Sequence, residues 1–125
     1  MLKKQILVVD DELMLLYSLR RMLQEEYEVT IALGGKKALE FINNKNNHYD
    51  LIICDVSMPD INGVNLYLYV AEHHKGLERR IIFMTGGPTS IYLDDFFIKI
   101  PNLRLSKPFE AKQLLEDIKS VLETK

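Results

Sequence analysis

Short runs rich in Val, Ile and Leu alternate along this chain with longer segments of helical spacing, and that alternation permits few folds. The runs are Ile6-Leu7-Val8-Val9, Glu28-Val29-Thr30-Ile31-Ala32, Leu51-Ile52-Ile53-Cys54, Ile81-Ile82-Phe83-Met84 and Leu103-Arg104-Leu105-Ser106. Several are apolar throughout, the pattern of strands covered on both faces. Between them, Leu15, Leu16, Leu19, Met22 and Leu23 share one helical stripe, and Leu114, Leu115, Ile118, Val121 and Leu122 share another. Ala38, Leu39 and Ile42 make a shorter stripe, as do Tyr67, Leu68 and Ala71. The segment from about Ser90 to Lys99 reads as a short, unusually apolar helix.

Punctuation marks the boundaries. Asp11 is placed to cap the first helix, Asn62-Gly63 precedes the third, and Gly86-Gly87-Pro88 separates the fourth strand from its helix. Pro108 stands before the last helix, where a missing N–H costs nothing. The polar run Asn43-Asn44-Lys45-Asn46-Asn47 reads as a helix end and loop. Strict strand–helix alternation with short connections implies a parallel sheet with helices on both faces. Five such units in 125 residues suit an open doubly wound α/β sheet, not an eight-unit barrel, and residues 1–125 are expected to form one domain.

Composition narrows the function. The chain is 47% apolar, enough to bury a core at this length. No apolar window is long enough to cross a bilayer, so no membrane insertion is expected. The opening Met1-Leu2-Lys3-Lys4-Gln5 runs straight into a strand, leaving no room for a secretory signal, and the lone Cys54 suits a reducing compartment. A cytoplasmic location is the expectation. With a formal charge of -2 and no basic run, direct nucleic-acid binding is not expected.

The chemistry lies at the ends of the strands. Four runs each end on loaded polar residues: Asp10-Asp11, Asp55, Thr85 and Lys107. In a doubly wound sheet, ligands bind beyond the carboxyl ends of the strands, so these residues share the binding edge. Three gathered carboxylates repel one another and raise a pKa unless a cation is present, and a hard oxygen-lined site suits Mg²⁺. A hydroxyl at Thr85 can bond a phosphoryl oxygen, and Gly86 and Gly87 behind it keep the approach open. Lys107 can offset phosphoryl charge. Each residue also has an ordinary reading: a cap, a turn-forming Asp, a strand-end Thr, a solvated Lys. Their shared edge, and no single member, argues for a metal and phosphoryl site.

Asp10-Asp11, Asp55, Thr85 and Lys107-Pro108-Phe109, with Met58-Pro59 and Gly63 after Asp55, resemble the receiver domain of two-component response regulators over essentially the whole chain. The resemblance implies a flavodoxin-like (βα)5 fold with strand order 2-1-3-4-5. It makes Asp55 the phosphoacceptor, attacking a phosphohistidine on a histidine kinase or a histidine phosphotransfer domain. Asp11, Asp55 and the main-chain carbonyl of Ser57 would bind Mg²⁺ (or Mn²⁺), with Asp10 holding it mainly through water. Thr85 would bond the phosphoryl oxygen, and Lys107 would pair with the phosphoryl or Asp55. A cis peptide at Lys107-Pro108 is a further expectation. Such a domain is a signalling module whose own chemistry stops at self-phosphorylation and autodephosphorylation. Ser57 and Gly87 flank the expected phosphoryl position.

Two departures from the family pattern stand out. Where many receivers carry a switching aromatic three positions before the lysine, this chain has Arg104, which reads as a solvated arginine or one that reaches an acidic partner. The texture from Met84-Thr85-Gly86-Gly87 to Ile100-Pro101-Asn102 resembles receivers attached to hybrid histidine kinases. Tyr92, Phe96 and Phe97 exceed the needs of one core stripe; they suit either a partner-docking face or a deeply buried helix. His48, His73 and His74 read as surface residues without metal-ligand spacing, and Cys54 as a small core residue.

Three other classes compete. Phosphohydrolases of the haloacid dehalogenase type need a second Asp two residues after the nucleophile, where this chain has Ser57. A phosphorylation-independent receiver-like binding module would usually lack one of the acids, the threonine or the lysine. A flavin-binding protein would need a phosphate-cradling loop after the first strand, where Asp10-Asp11-Glu12 stands instead.

Overall fold

A strand buried on both faces needs side chains of alternating direction to enter two separate cores, and the first strand, β1 (Gln5–Asp10), shows this directly. Ile6 and Val8 join one core while Leu7 and Val9 join the other, all four fully buried. The computed structural model describes residues 2–86 and 91–124, with the backbone alone at 91 and 92. Gly87, Pro88 and Ser90, singled out above, lie outside the described residues, as does the side chain of Tyr92.

After β1 come α1 (Leu13–Leu23), β2 (Glu28–Leu33), α2 (Gly35–Asn43), β3 (Leu51–Asp55) and α3 (Gly63–His73). A short 3₁₀ turn, Leu77–Arg80, leads into β4 (Ile81–Thr85), followed by α4 (Ile91–Lys99), β5 (Arg104–Ser106) and α5 (Ala111–Glu123). The strands form one parallel sheet in the order β2-β1-β3-β4-β5, the flavodoxin-like arrangement expected.

The two cores lie on opposite sides of the sheet. One packs Leu16, Leu19 and Leu23 of α1 and Leu114 and Ile118 of α5 against Ile53, Ile82 and Met84. The other packs Ala38 and Ile42 of α2 and Leu66 and Val70 of α3 against Ile52, Cys54 and Phe83. Burying each large aliphatic side chain contributes about 1.5–3 kcal/mol. The central strands β1 and β3 are therefore nearly dry, whereas the edge strand β2 is only partly covered.

Three local expectations are corrected. In α3 the buried residues are Val64, Leu66 and Val70, while Leu68, placed on the core stripe from sequence, is 54% exposed. Apolar residues surround that helix, so spacing alone could not choose its inner face. Pro108 does not abut the last helix: α5 begins at Ala111, after an extended Glu110, and Phe109 turns into the α1–α5 core. Asp11 does not cap α1, because the Glu12 N–H donates to Asp10 Oδ1 (2.9 Å) and the N-cap position falls on Glu12. Asn62 does cap α3, accepting from the Asn65 N–H at 2.8 Å. Asn44 and Asn47 close the end of α2 with side-chain amides, as the polar run suggested.

Candidate functional site

Parallel strands deliver their final residues to one edge, and here that edge gathers the loaded residues. Asp10 ends β1, Asp55 ends β3 and Thr85 ends β4; Lys107 follows β5, held there by its N–H donating to the Thr85 carbonyl (2.7 Å). One carboxylate oxygen from each of Asp10, Asp11 and Asp55 lies within 4.8 Å of the others. Asp10 is fully buried, Asp55 is 5% exposed, and Asp11 opens to solvent.

Lys107 is the counterweight. Its Nζ donates to Asp10 Oδ2 at 2.8 Å and sits 3.5 Å from Asp55 Oδ1. Burial alone would lower its pKa, but the bond to Asp10 and the charge of Asp55 outweigh that and raise it, so the ammonium persists. One ammonium cannot balance three carboxylates. Burial, and then the neighbouring Asp10 charge, push Asp55 up to about 6, against smaller opposing pulls from Lys107 and the Ser57 backbone N–H. The fold thus makes the Asp55 carboxylate costly to ionise.

Glycine shapes the approach. A Cβ at Gly63 would lie 2.8 Å from the Asp55 carbonyl oxygen and 2.9 Å from Val56 Cα, so only glycine lets α3 start this close to β3. Thr85 is half-buried, and its hydroxyl donates to the Leu105 carbonyl across β4 and β5 at 3.4 Å. Ser57 lies exposed on the loop after Asp55. The Lys107-Pro108 peptide is cis, as expected.

Asp60 was not legible as part of this region. Its carboxylate accepts from the backbone N–H groups of Gly35 (3.2 Å), Lys36 (3.0 Å) and Ile61 (2.7 Å). These bonds hold its pKa below the usual carboxylate range. It caps α2 from the loop that carries Ser57, Met58 and Pro59, and so ties that loop to the start of α2. The one sequence signal was negative: Gly34-Gly35 opens a helix with no capping side chain of its own.

Other candidates fall elsewhere. Arg104 is not a freely solvated arginine: its guanidinium lies 4.6 Å from the Phe97 ring centroid and 3.9 Å from Asp94, linking β5 to α4. Phe96 and Phe97, each partly buried, pack edge-on against Phe83 and each other, while Ile98 on the same helix is exposed, so α4 is not the deeply buried helix that is one of the two expectations. Cys54 is fully buried, with its thiol pKa raised chiefly by burial. His48 bonds Asp50, His74 bonds Asn43 and His73 packs on Tyr69, all away from the acidic edge.

Residues 6–119 match the family model described as response regulator receiver domain. The chain belongs to that family. Among its relatives is a receiver domain protein (CheY-like) from Methanospirillum hungatei, 31% identical, whose crystal structure superposes with a TM-score of 0.86 over 97% of this chain and 94% of that one. The 3',5'-cyclic-nucleotide phosphodiesterase regA of Dictyostelium discoideum is 32% identical over 98% of this chain and 16% of its own length. Histidine kinase P4 of Formosa agariphila is 30% identical over 98% of this chain and 9% of its own length. This receiver therefore spans only a small part of those two curated relatives. No helix among the described residues is long and apolar enough to cross a membrane.

Proposed function

We propose that this receiver is the phosphoacceptor of a two-component phosphorelay. Asp55 takes a phosphoryl group from a phosphohistidine on a histidine kinase or phosphotransfer protein. A carboxylate oxygen of Asp55 forms the new bond to phosphorus, the phosphorus–nitrogen bond breaks, and the imidazole leaves with the electron pair. The observation that carries this reading is the pairing of Asp55 with both a neighbouring ammonium and two further carboxylates.

The donor set fits a small hard cation: three clustered carboxylates, one of them open to solvent, match the oxygen ligands and retained waters of Mg²⁺ or Mn²⁺. Asp11, Asp55 and the Ser57 carbonyl would hold the ion, with Asp10 acting through water. When bound, the ion supplies charge compensation for the carboxylates and the incoming phosphoryl oxygens. The chain's own residues do the rest. Lys107 stays protonated and offsets the added charge of the phosphoryl group. The Thr85 hydroxyl leaves the Leu105 carbonyl for a phosphoryl oxygen, which gives β4 and β5 two states. That change, passed to a partner or to a parent hybrid kinase in the cytoplasm, is the output.

Acetyl phosphate with Mg²⁺ should add one phosphoryl group, read by intact-protein mass spectrometry, and Asp55→Asn should abolish it. Continued labelling of the Asn variant would sink the assignment.

A further inference from the structure

The edge of the sheet opposite the acidic cluster carries a second polar site of opposite sign. Where β1, β3 and β4 begin, a cavity of about 660 Å³ opens between the carboxyl ends of α2, α3 and α5, whose carbonyl dipoles carry partial negative charge that the lining cations face. Lys4, Lys75, Arg79 and Arg80 line it, brought together from before β1, from after α3 and from the 3₁₀ turn. His48 and His74 add two imidazoles.

The only carboxylate among the described lining residues is Asp50, and it is already committed. One oxygen accepts the Gln5 N–H at 2.8 Å, and the other lies 3.0 Å from His48 Nε2. Arg79 has a weak partner just outside the lining, Glu78 at 3.9 Å, so cations still outnumber carboxylates when Glu78 is counted. Lys4 and Lys75 make no ion pair among the described residues, although the charge of Lys4 is felt by Asp50.

One cation of the wall, Arg80, is anchored, while Lys4, Lys75 and Arg79 reach in from exposed positions. The Arg80 guanidinium donates to the Asp50 carbonyl (3.5 Å) and the Thr124 carbonyl (3.3 Å), which fixes it while leaving other N–H groups free. Gly76 turns the chain there with φ of +102°, and nothing lies within 4 Å of where its Cβ would be, so the space stays open. Cations converging in a chain of net charge -2 repel one another until an anion joins them.

We propose that this cavity binds a small, multiply charged anion of the phosphate class. Arginine forks and lysine ammoniums are the groups that hold phosphate oxygens, and the volume exceeds what one phosphate needs. A compact diphosphate or a phosphorylated small molecule fits both the charge and the size.

Titrating sodium pyrophosphate into ¹⁵N-labelled protein, in metal-free buffer at constant ionic strength, tests this without recruiting the acidic edge. Saturable amide shifts confined to residues 4, 48–50, 74–80 and 124 are expected. Lys4→Gln and Lys75→Gln remove exposed cations with no ion pair to lose, so both should stay folded and weaken binding by about tenfold each. Lys112→Gln on α5 should leave the affinity unchanged. Shifts that stay linear in concentration, spread over surface lysines at large, or persist unchanged in both cavity variants would overturn the proposal.

Discussion

Replacing Asp55 with Asn should make the metal-free protein more stable, by an amount that depends on pH in a defined way. Asp55 is held at about 6 in the folded chain, against an ordinary value of 3.8. The folded state therefore binds this proton more tightly than the unfolded state does. Stability from this group is lost as pH rises from about 4 through about 6, and the full penalty remains above that range. The difference corresponds to about 3 kcal/mol at pH near 8 and about half as much near pH 5. Asn removes the charge at nearly constant volume, and Lys107 keeps its closer partner, Asp10. The variant should melt roughly 10 °C higher than the parent in EDTA near pH 8, with a smaller gap near pH 5. Millimolar Mg²⁺ should raise the parent's melting temperature and leave the variant's nearly unmoved, closing the gap from the other side. Circular dichroism melts across pH, with and without Mg²⁺, measure all of this. An Asn variant less stable than the parent near pH 8, or a gap that ignores pH, would refute the electrostatic account of the site.

Lys107→Ala should destabilise the domain by about 3 kcal/mol in urea unfolding, because it strands the fully buried Asp10 carboxylate without its ammonium. Asp60→Ala should cost about 1 kcal/mol and speed hydrogen exchange at the Gly35, Lys36 and Ile61 amides, which lose their acceptor. Arg104→Ala should remove the stacking on Phe97 and cost about 0.5–1 kcal/mol, with faster exchange confined to residues 93–99. Equal exchange in that segment with and without the arginine would show that the contact holds nothing in place.

The strands, their parallel direction and the acidic edge were legible because they rest on local pattern, whereas the strand order was implied by the resemblance to receiver domains. An apolar run four or five residues long can only be a buried strand when helical stripes flank it on both sides. A doubly wound sheet then places every strand end on one edge. Cys54 as a core residue and Asn62-Gly63 as the boundary before α3 were readable for the same reason, since each depends on its immediate neighbours. What failed depended on which of several possible partners, near or distant in sequence, a side chain meets. The inner face of α3 is chosen by where β3 and β4 lie, not by its own nearly continuous apolar surface. Asp11 looked like a cap, but Asp10 reaches the Glu12 N–H first and leaves Asp11 facing water.

From its sequence alone, then, this protein's α/β class and the residues that share the strand-end edge could be read from residue type and spacing along the chain, and its family from the resemblance those residues carry. The tertiary structure decided their energetics. It buried Asp10 against Lys107, made the Asp55 carboxylate resist ionisation, and capped α2 with Asp60 from 25 residues away. It also set Arg104 on Phe97 and drew four cations from three segments around the opposite cavity. Charge and burial act through space over a few ångströms, and no spacing along the chain encodes which distant side chains will meet at that range.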